Sequence, residues 1–191
     1  MATLAGSQTE KNLLKAFAGE SQARNRYTMF ASQAKKDGYQ QIANLFLETA
    51  DNERVHAKRF FSFLEGRPVE ITATYPAGSV GTTLENLKAA AAGENEEHTE
   101  LYPHFSEVAK EEGFNDVAAA FSMIAKVEKE HEERYLKLAD NIEKELVFKK
   151  DAGSIWKCQK CGYVHEGKEA PTKCPACLHS QNYFELKEMN Y

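Results

Sequence analysis

Two copies of Glu-x-x-His, Glu53 with His56 and Glu128 with His131, stand 75 residues apart in this 191-residue chain. Each lies on a helical stripe that is otherwise apolar: Ile42, Phe46, Thr49 and Phe60 around the first, Val117, Phe121, Ile124, Tyr135, Leu138 and Ile142 around the second. Upstream of each copy, by 33 or 34 residues, a further acid falls on a comparable stripe: Glu20 beyond Leu13 and Phe17, Glu94 beyond Leu87 and Ala91. An unpaired buried carboxylate costs on the order of several kcal/mol. Acids placed in register on four core stripes therefore demand a compensating positive charge, and the economical source is a pair of metal ions. Residues three apart on a helix share a face, so each Glu-x-x-His offers one oxygen and one nitrogen ligand to the same point.

Punctuation divides the chain into four helical segments. The first opens at a capping box, Ser7-x-x-Glu10, and ends at Asp37-Gly38; the second runs from about Tyr39 to Glu65 and stops at Gly66-Arg67-Pro68. The third opens at Thr82-x-x-Glu85 and ends at Glu112-Gly113, and the fourth spans roughly Asn115 to Leu146. Short links make each consecutive pair an antiparallel hairpin. The link from 66 to 82, with Pro68, Pro76, Gly78 and Gly81, must run the length of helices about 40 Å long. Two helical hairpins joined by one long crossover give an all-α ferritin-like four-helix bundle.

The hairpins form an internal repeat. An offset of 75 carries Tyr27 onto Tyr102, Phe46 onto Phe121, Glu53 onto Glu128 and His56 onto His131, whereas an offset of 74 carries Glu20 onto Glu94 and Ala23 onto Glu97. The third segment thus holds one extra residue between 94 and 102, followed by Pro103, which predicts a widened π turn beside Glu97. Glu97 also makes the constellation lopsided. Five carboxylates face four positive charges from two divalent ions or six from two trivalent ions, so the surplus ligand suits the oxidised pair, with His56 its natural competitor on reduction. Glu96, Glu111, Glu112, Glu130, Glu132 and Glu133 are read as solvent-facing charge, and His98, His104, His165 and His179, without repeat partners, as surface or packing residues.

All four cysteines fall in Cys158-x-x-Cys161 and Cys174-Pro-x-Cys177, twelve residues apart. Two such knuckles predict a tetrahedral four-thiolate metal site, for which zinc and iron share the spacing. Cys161-Gly162-Tyr163 and Cys174-Pro175 resemble the knuckles of rubredoxin, with a shorter spacer, and favour iron. The expected architecture is a bundle over 1–149 with a small C-terminal β-rich rubredoxin-like metal-binding domain over 150–191. The net charge of −5 lies wholly in residues 1–150 and argues against nucleic acid or an anionic membrane as partner. No run of 18 apolar residues and no charged-then-apolar leader is present, so a cytoplasmic protein is expected.

Taken together, the ligand set, the extra Glu97 and the C-terminal knuckles resemble rubrerythrin over essentially the whole chain. The resemblance implies a peroxidase that reduces hydrogen peroxide to water at a non-haem di-iron site and protects an anaerobe or microaerophile from oxidative stress. By position match it implies Glu53 and Glu128 as bridging carboxylates, Glu20 with the His56/Glu97 alternative at one iron, and Glu94 with His131 at the other. Tyr27 and Tyr102 match tyrosines that hydrogen-bond the carboxylates and, with His56 and Glu97, are the residues expected to act in catalysis. One iron held by Cys158, Cys161, Cys174 and Cys177 would return electrons, ultimately from NAD(P)H, delivered by rubredoxin or a nicotinamide-linked reductase. A homodimer or higher homo-oligomer would bring one chain's knuckles beside its partner's di-iron site. The rival readings are an iron-handling ferroxidase of the ferritin type, a partner-binding bundle with structural zinc at the knuckles, and an oxygen-activating di-iron enzyme.

Overall fold

The computed structural model describes residues 3–190. Four rods build the bundle: α1 (Gln8–Lys36), α2 (Gln40–Phe61), a third rod made of α3 (Thr83–Glu96), a π-helical turn (Glu97–Leu101) and α4 (Tyr102–Glu111), and α5 (Asn115–Glu143). The π turn falls where the extra residue of the repeat required it. Helices α2 and α5 end at Phe61 and Glu143, a few residues earlier than their apolar periodicity predicts, and Phe63 and Leu64 pack against the core from the turn after α2. The hairpin turns close alike. Gly38 at φ 90° and Gly113 at φ 87° take the left-handed position after the helix. Behind them the amides of Tyr39 and Phe114 reach back to the carbonyls of Ala34 and Ala109 at 2.8 and 2.7 Å.

The two expected capping boxes differ. Thr82 and Glu85 form the reciprocal pair. Ser7 accepts from the Glu10 amide at 3.0 Å, but the Glu10 carboxylate turns away to the Gly6 amide and to Arg67 at the start of the crossover. Glu10 is only 1% exposed, and the Arg67 fork meets both its oxygens. The hairpins also cap each other. Asp37 accepts from the Thr83 amide and hydroxyl at 2.9 and 2.6 Å, and its repeat equivalent Glu112 accepts from the Gln8 and Thr9 amides at 3.0 and 2.7 Å. Glu112 is therefore a helix cap rather than the solvent-facing charge its surroundings in sequence suggest.

The interior divides in two. Tyr27, Phe30, Phe46 and Tyr135 centre one apolar cluster with Ile42 and Leu87; Tyr102, Phe105, Phe121 and Phe60 centre the other with Leu13 and Val117. Those aromatic quartets correspond position by position at the offset of 75, apart from the exchange of Tyr135 for Phe60. A layer of buried acids and histidines separates them.

After α5 the chain forms a three-stranded antiparallel sheet in the order β2-β1-β3, with β1 Lys149–Cys158, β2 Val164–Glu169 and β3 Phe184–Leu186. Trp156, fully buried, is the centre of its core and donates from Nε1 to the Gly167 carbonyl at 3.0 Å. The sheet unit rests on the turn between α1 and α2, where Phe148 stacks on Tyr39 and Asn44 donates to Gln159 at 3.0 Å. Among the described residues no helix is long and apolar enough to cross a membrane.

Candidate metal centres

Helical spacing brings Glu20 from α1, Glu53 and His56 from α2, Glu94 from α3, and Glu128 and His131 from α5 into one layer at mid-height of the bundle. The exposure of these six residues does not exceed 8%. Each imidazole Nδ1 faces three carboxylates. Around His56 lie Glu128 Oε1 at 2.9 Å, Glu53 Oε2 at 3.0 Å and Glu20 Oε2 at 3.8 Å. Around His131 lie Glu128 Oε2 at 2.8 Å, Glu53 Oε1 at 3.3 Å and Glu94 Oε1 at 3.9 Å. Glu53 and Glu128 thus each turn one oxygen to either station, while Glu20 and Glu94 serve one apiece.

A single ring N–H satisfies one acceptor, not three. Six buried atoms accordingly lack a hydrogen-bond partner: Glu20 Oε2, Glu53 Oε1, Glu94 Oε2, both oxygens of Glu128, and His131 Nδ1. Orphaned acceptors converging on two points are what a pair of cations requires, and ligand atoms of each four-residue group lie within 4.8 Å of one another. The residues present fit a dinuclear metal site. The titration behaviour points the same way. Burial, then repulsion from Glu128, pushes Glu20 well above the ordinary carboxyl range; burial and then Glu53 do the same to Glu94. Burial also opposes charge on Glu53, but the imidazoles of His131 and His56 beside it hold it down at about 2. Burial disfavours the His131 cation, yet Glu128 and Glu53 hold it up at about 9; His56 is raised likewise, by Glu128 first.

Two tyrosines brace the layer. Tyr27 donates to Glu94 Oε1 and Tyr102 to Glu20 Oε1, both at 2.6 Å, and burial raises both phenols well above their usual value. Each bond crosses between hairpins, since Tyr27 and Glu20 lie on α1 while Glu94 and Tyr102 lie on the third rod.

Glu97 stands apart. It is half-buried, belongs to neither four-residue group, and leans from the π turn toward Gly19 and Tyr75. His56 occupies the place beside Glu20 that the two residues were expected to share. Beyond Glu97 lies a cavity of about 450 Å³ between α1 and the third rod, roofed by residues 72–76 of the crossover. Adjacent to it, His98 pairs with Glu132 at 2.6 Å, and Asn95 donates to the same carboxylate at 3.0 Å. His98 and Glu132 thus tie the π turn to α5 rather than facing solvent freely. This tie, the Glu10–Arg67 pair and Tyr75 have no periodic signal in the sequence; the equivalence of Gly19 and Gly93 at offset 74 could have been found there.

The four cysteine sulfurs also lie within 4.8 Å of one another, with Cys158–Cys177 at 3.8 Å and Cys161–Cys174 at 3.6 Å. A disulfide would need about 2.05 Å. Tetrahedral thiolates about 2.3 Å from a metal stand about 3.8 Å apart, so this cage fits one ion. Backbone amides point at its sulfurs. Burial would raise Cys174, but the amides of Cys177 and Ala176 draw it down to about 7.

The family model described as Rubrerythrin matches residues 11–139, and that described as Rubrerythrin, rubredoxin-like domain, matches residues 156–185. The rubrerythrin of Porphyromonas gingivalis is 61% identical over 189 residues, covering 99% of this chain and 94% of that protein. Rubrerythrin-1 of Clostridium acetobutylicum is 60% identical with full coverage of both. Fully reduced, all-ferrous nigerythrin superposes with a TM-score of 0.64 at 34% identity, over 97% of this chain and 92% of that one. Symerythrin from Cyanophora paradoxa, at 23% identity and a TM-score of 0.64, shares the helical fold over 75% of this chain and 89% of its own.

Proposed function

As this chain belongs to the rubrerythrin family, we propose that it is a peroxidase reducing hydrogen peroxide to water, with unit 1–149 as the site of reaction and unit 150–191 as the point of electron entry. The family's cofactors are two iron ions in a carboxylate-bridged site and one iron in a four-cysteine rubredoxin-type site. When bound, the ferrous pair would supply the two electrons that convert hydrogen peroxide and two protons to two waters, and the four-thiolate iron would supply electrons one at a time.

The observation that carries the reading is the sharing of Glu53 and Glu128 between the two histidine stations. Glu53 and Glu128 would bridge, Glu20 would complete the His56 station and Glu94 the His131 station. Tyr27 and Tyr102 hold the terminal carboxylates in orientation from the opposite hairpin. Glu97 lies one π turn away and carries the extra negative charge that favours the oxidised pair, while neutral His56 suits the reduced pair; exchange of these two side chains would keep net charge nearly matched through the cycle. Cys158, Cys161, Cys174 and Cys177 would hold the iron that receives electrons from rubredoxin or an NAD(P)H-linked reductase. A homodimer in which the partner's knuckles approach the bundle would shorten that electron route.

Replacement of Cys161 by Ser tests the scheme. One round of peroxide consumption by pre-reduced protein is expected to remain, while reductase-driven steady turnover is lost. Unchanged steady turnover would remove the assigned electron route. Accumulation of iron far beyond three ions per chain in a large shell would favour iron handling instead.

A further inference from the structure

The six residues of the ligand layer are buried, and the cavity between α1 and the third rod comes nearest to them at Glu97, Tyr27 and Tyr102, which line it. That side is unusual in composition. Gly19 and Gly93 sit within α1 and α3, each immediately before a glutamate of the layer, and both line the cavity. Glycine inside a helix costs stability relative to alanine. Neither has the positive φ that would call for glycine. Nor does crowding explain them. A Cβ on Gly19 would meet Tyr75 Cε1 at 3.6 Å and Glu97 Oε1 at 3.8 Å, and one on Gly93 would meet Arg26 Nη2 at 3.7 Å, all ordinary contacts. What their missing side chains leave is open space beside Glu97.

Tyr75 bounds that space from above. Its hydroxyl donates to the Lys15 carbonyl at 2.7 Å, which pins the crossover onto α1 with the ring over Gly19. Glu97, Tyr27 and Tyr102, the last two bonded to the layer's carboxylates, line the same cavity as that ring.

We propose that Tyr75, Gly19 and Gly93 form the entrance through which peroxide reaches the ligand layer, and that this entrance selects hydrogen peroxide over alkyl and aryl hydroperoxides. The assignment rests on the peroxidase reading above. Hydrogen peroxide presents two oxygens and no carbon and so needs the least room between the Tyr75 ring and α1; a cumyl or tert-butyl group would meet that ring.

The test uses the full-length, iron-loaded protein. Oxidation of the reduced protein is followed by stopped flow with hydrogen peroxide and with cumene hydroperoxide, and the rate at which azide perturbs the visible spectrum of the oxidised protein is measured separately. Tyr75→Ala is expected to raise the cumene-to-hydrogen peroxide rate ratio by about tenfold, a discrimination of the size set by pocket shape. Gly19→Val, which fills the space under the ring from the helix side, is expected to slow both peroxides and azide uptake by about tenfold. Circular dichroism establishes that each variant is folded; should Tyr75→Ala lose the crossover, Gly19→Val decides alone. Folded variants with the unmodified protein's selectivity and azide rate overturn the entrance. Failure of the unmodified protein to oxidise with hydrogen peroxide at all would instead overturn the functional reading.

Discussion

The two halves of the bundle make the same cage with different doors. Tyr27 and Tyr102, Glu20 and Glu94, Phe30 and Phe105, Phe46 and Phe121, and the two Glu-x-x-His pairs occupy equivalent positions. Even the helix caps Asp37 and Glu112 match. Only the first half keeps regular α-geometry through the layer, with small Ala23 where the second half carries Glu97 on a π turn. The shared features suit the holding of two cations. The difference gives one side of the cage a carboxylate that the other lacks, since a π turn adds a residue without shifting the phase of the flanking helix.

The strongest way to break the symmetric part is Glu53→Ala. It removes one of the two anions that face both histidines and should destabilise the metal-free protein by about 3 kcal/mol, read from urea unfolding, with bundle iron falling below two per chain. Next, Glu97→Ala makes the second half resemble the first. Two bundle irons should remain, while peroxide turnover falls more than for any tyrosine variant. Deleting the exposed residue Thr99 restores the offset of 74 and should give a regular helix with the same loss; intact turnover would separate the π turn from the exchange of ligands.

Tyr27→Phe and Tyr102→Phe sharpen the comparison, because each removes one equivalent hydrogen bond. Each should lower metal affinity or turnover by about tenfold, and unequal losses would identify the more demanding station. The smallest effects belong to the caps: Asp37→Ala and Glu112→Ala should each cost about 1 kcal/mol. Despite partial burial, hydrogen bonds from Thr83 and from Thr9 hold these carboxyls below their ordinary values of 3.8 and 4.5. Their contribution to stability is therefore complete above those values. It disappears as the pH falls through the lower folded-state values, so urea midpoints of variant and unmodified protein should converge only in strong acid.

Much of this was legible because the repeat doubles every signal. Glu20, Glu53, His56, Glu94, Glu128 and His131 stand where polar residues interrupt apolar stripes, and one inserted residue disclosed the π turn. The partners of Glu10, Glu112, His98 and Tyr75 were not legible. Helical periodicity reports which face a residue occupies, but not which distant side chain crosses to meet it. Arg67 and Tyr75 lie in the crossover, which has no period at all, and their contacts depend on how that segment lies across α1.

The polar slab between the two aromatic quartets has a consequence for the life of the chain. Each quartet is a small hydrophobic body, and the slab joining them without metal is a crowd of acids that two histidines offset only in part. By mass action any ion that binds there and not to the unfolded chain adds to stability in proportion to the logarithm of its concentration. Resistance of the bundle to proteolysis should therefore rise with metal supply, the iron-loaded protein being digested more slowly than the metal-free one.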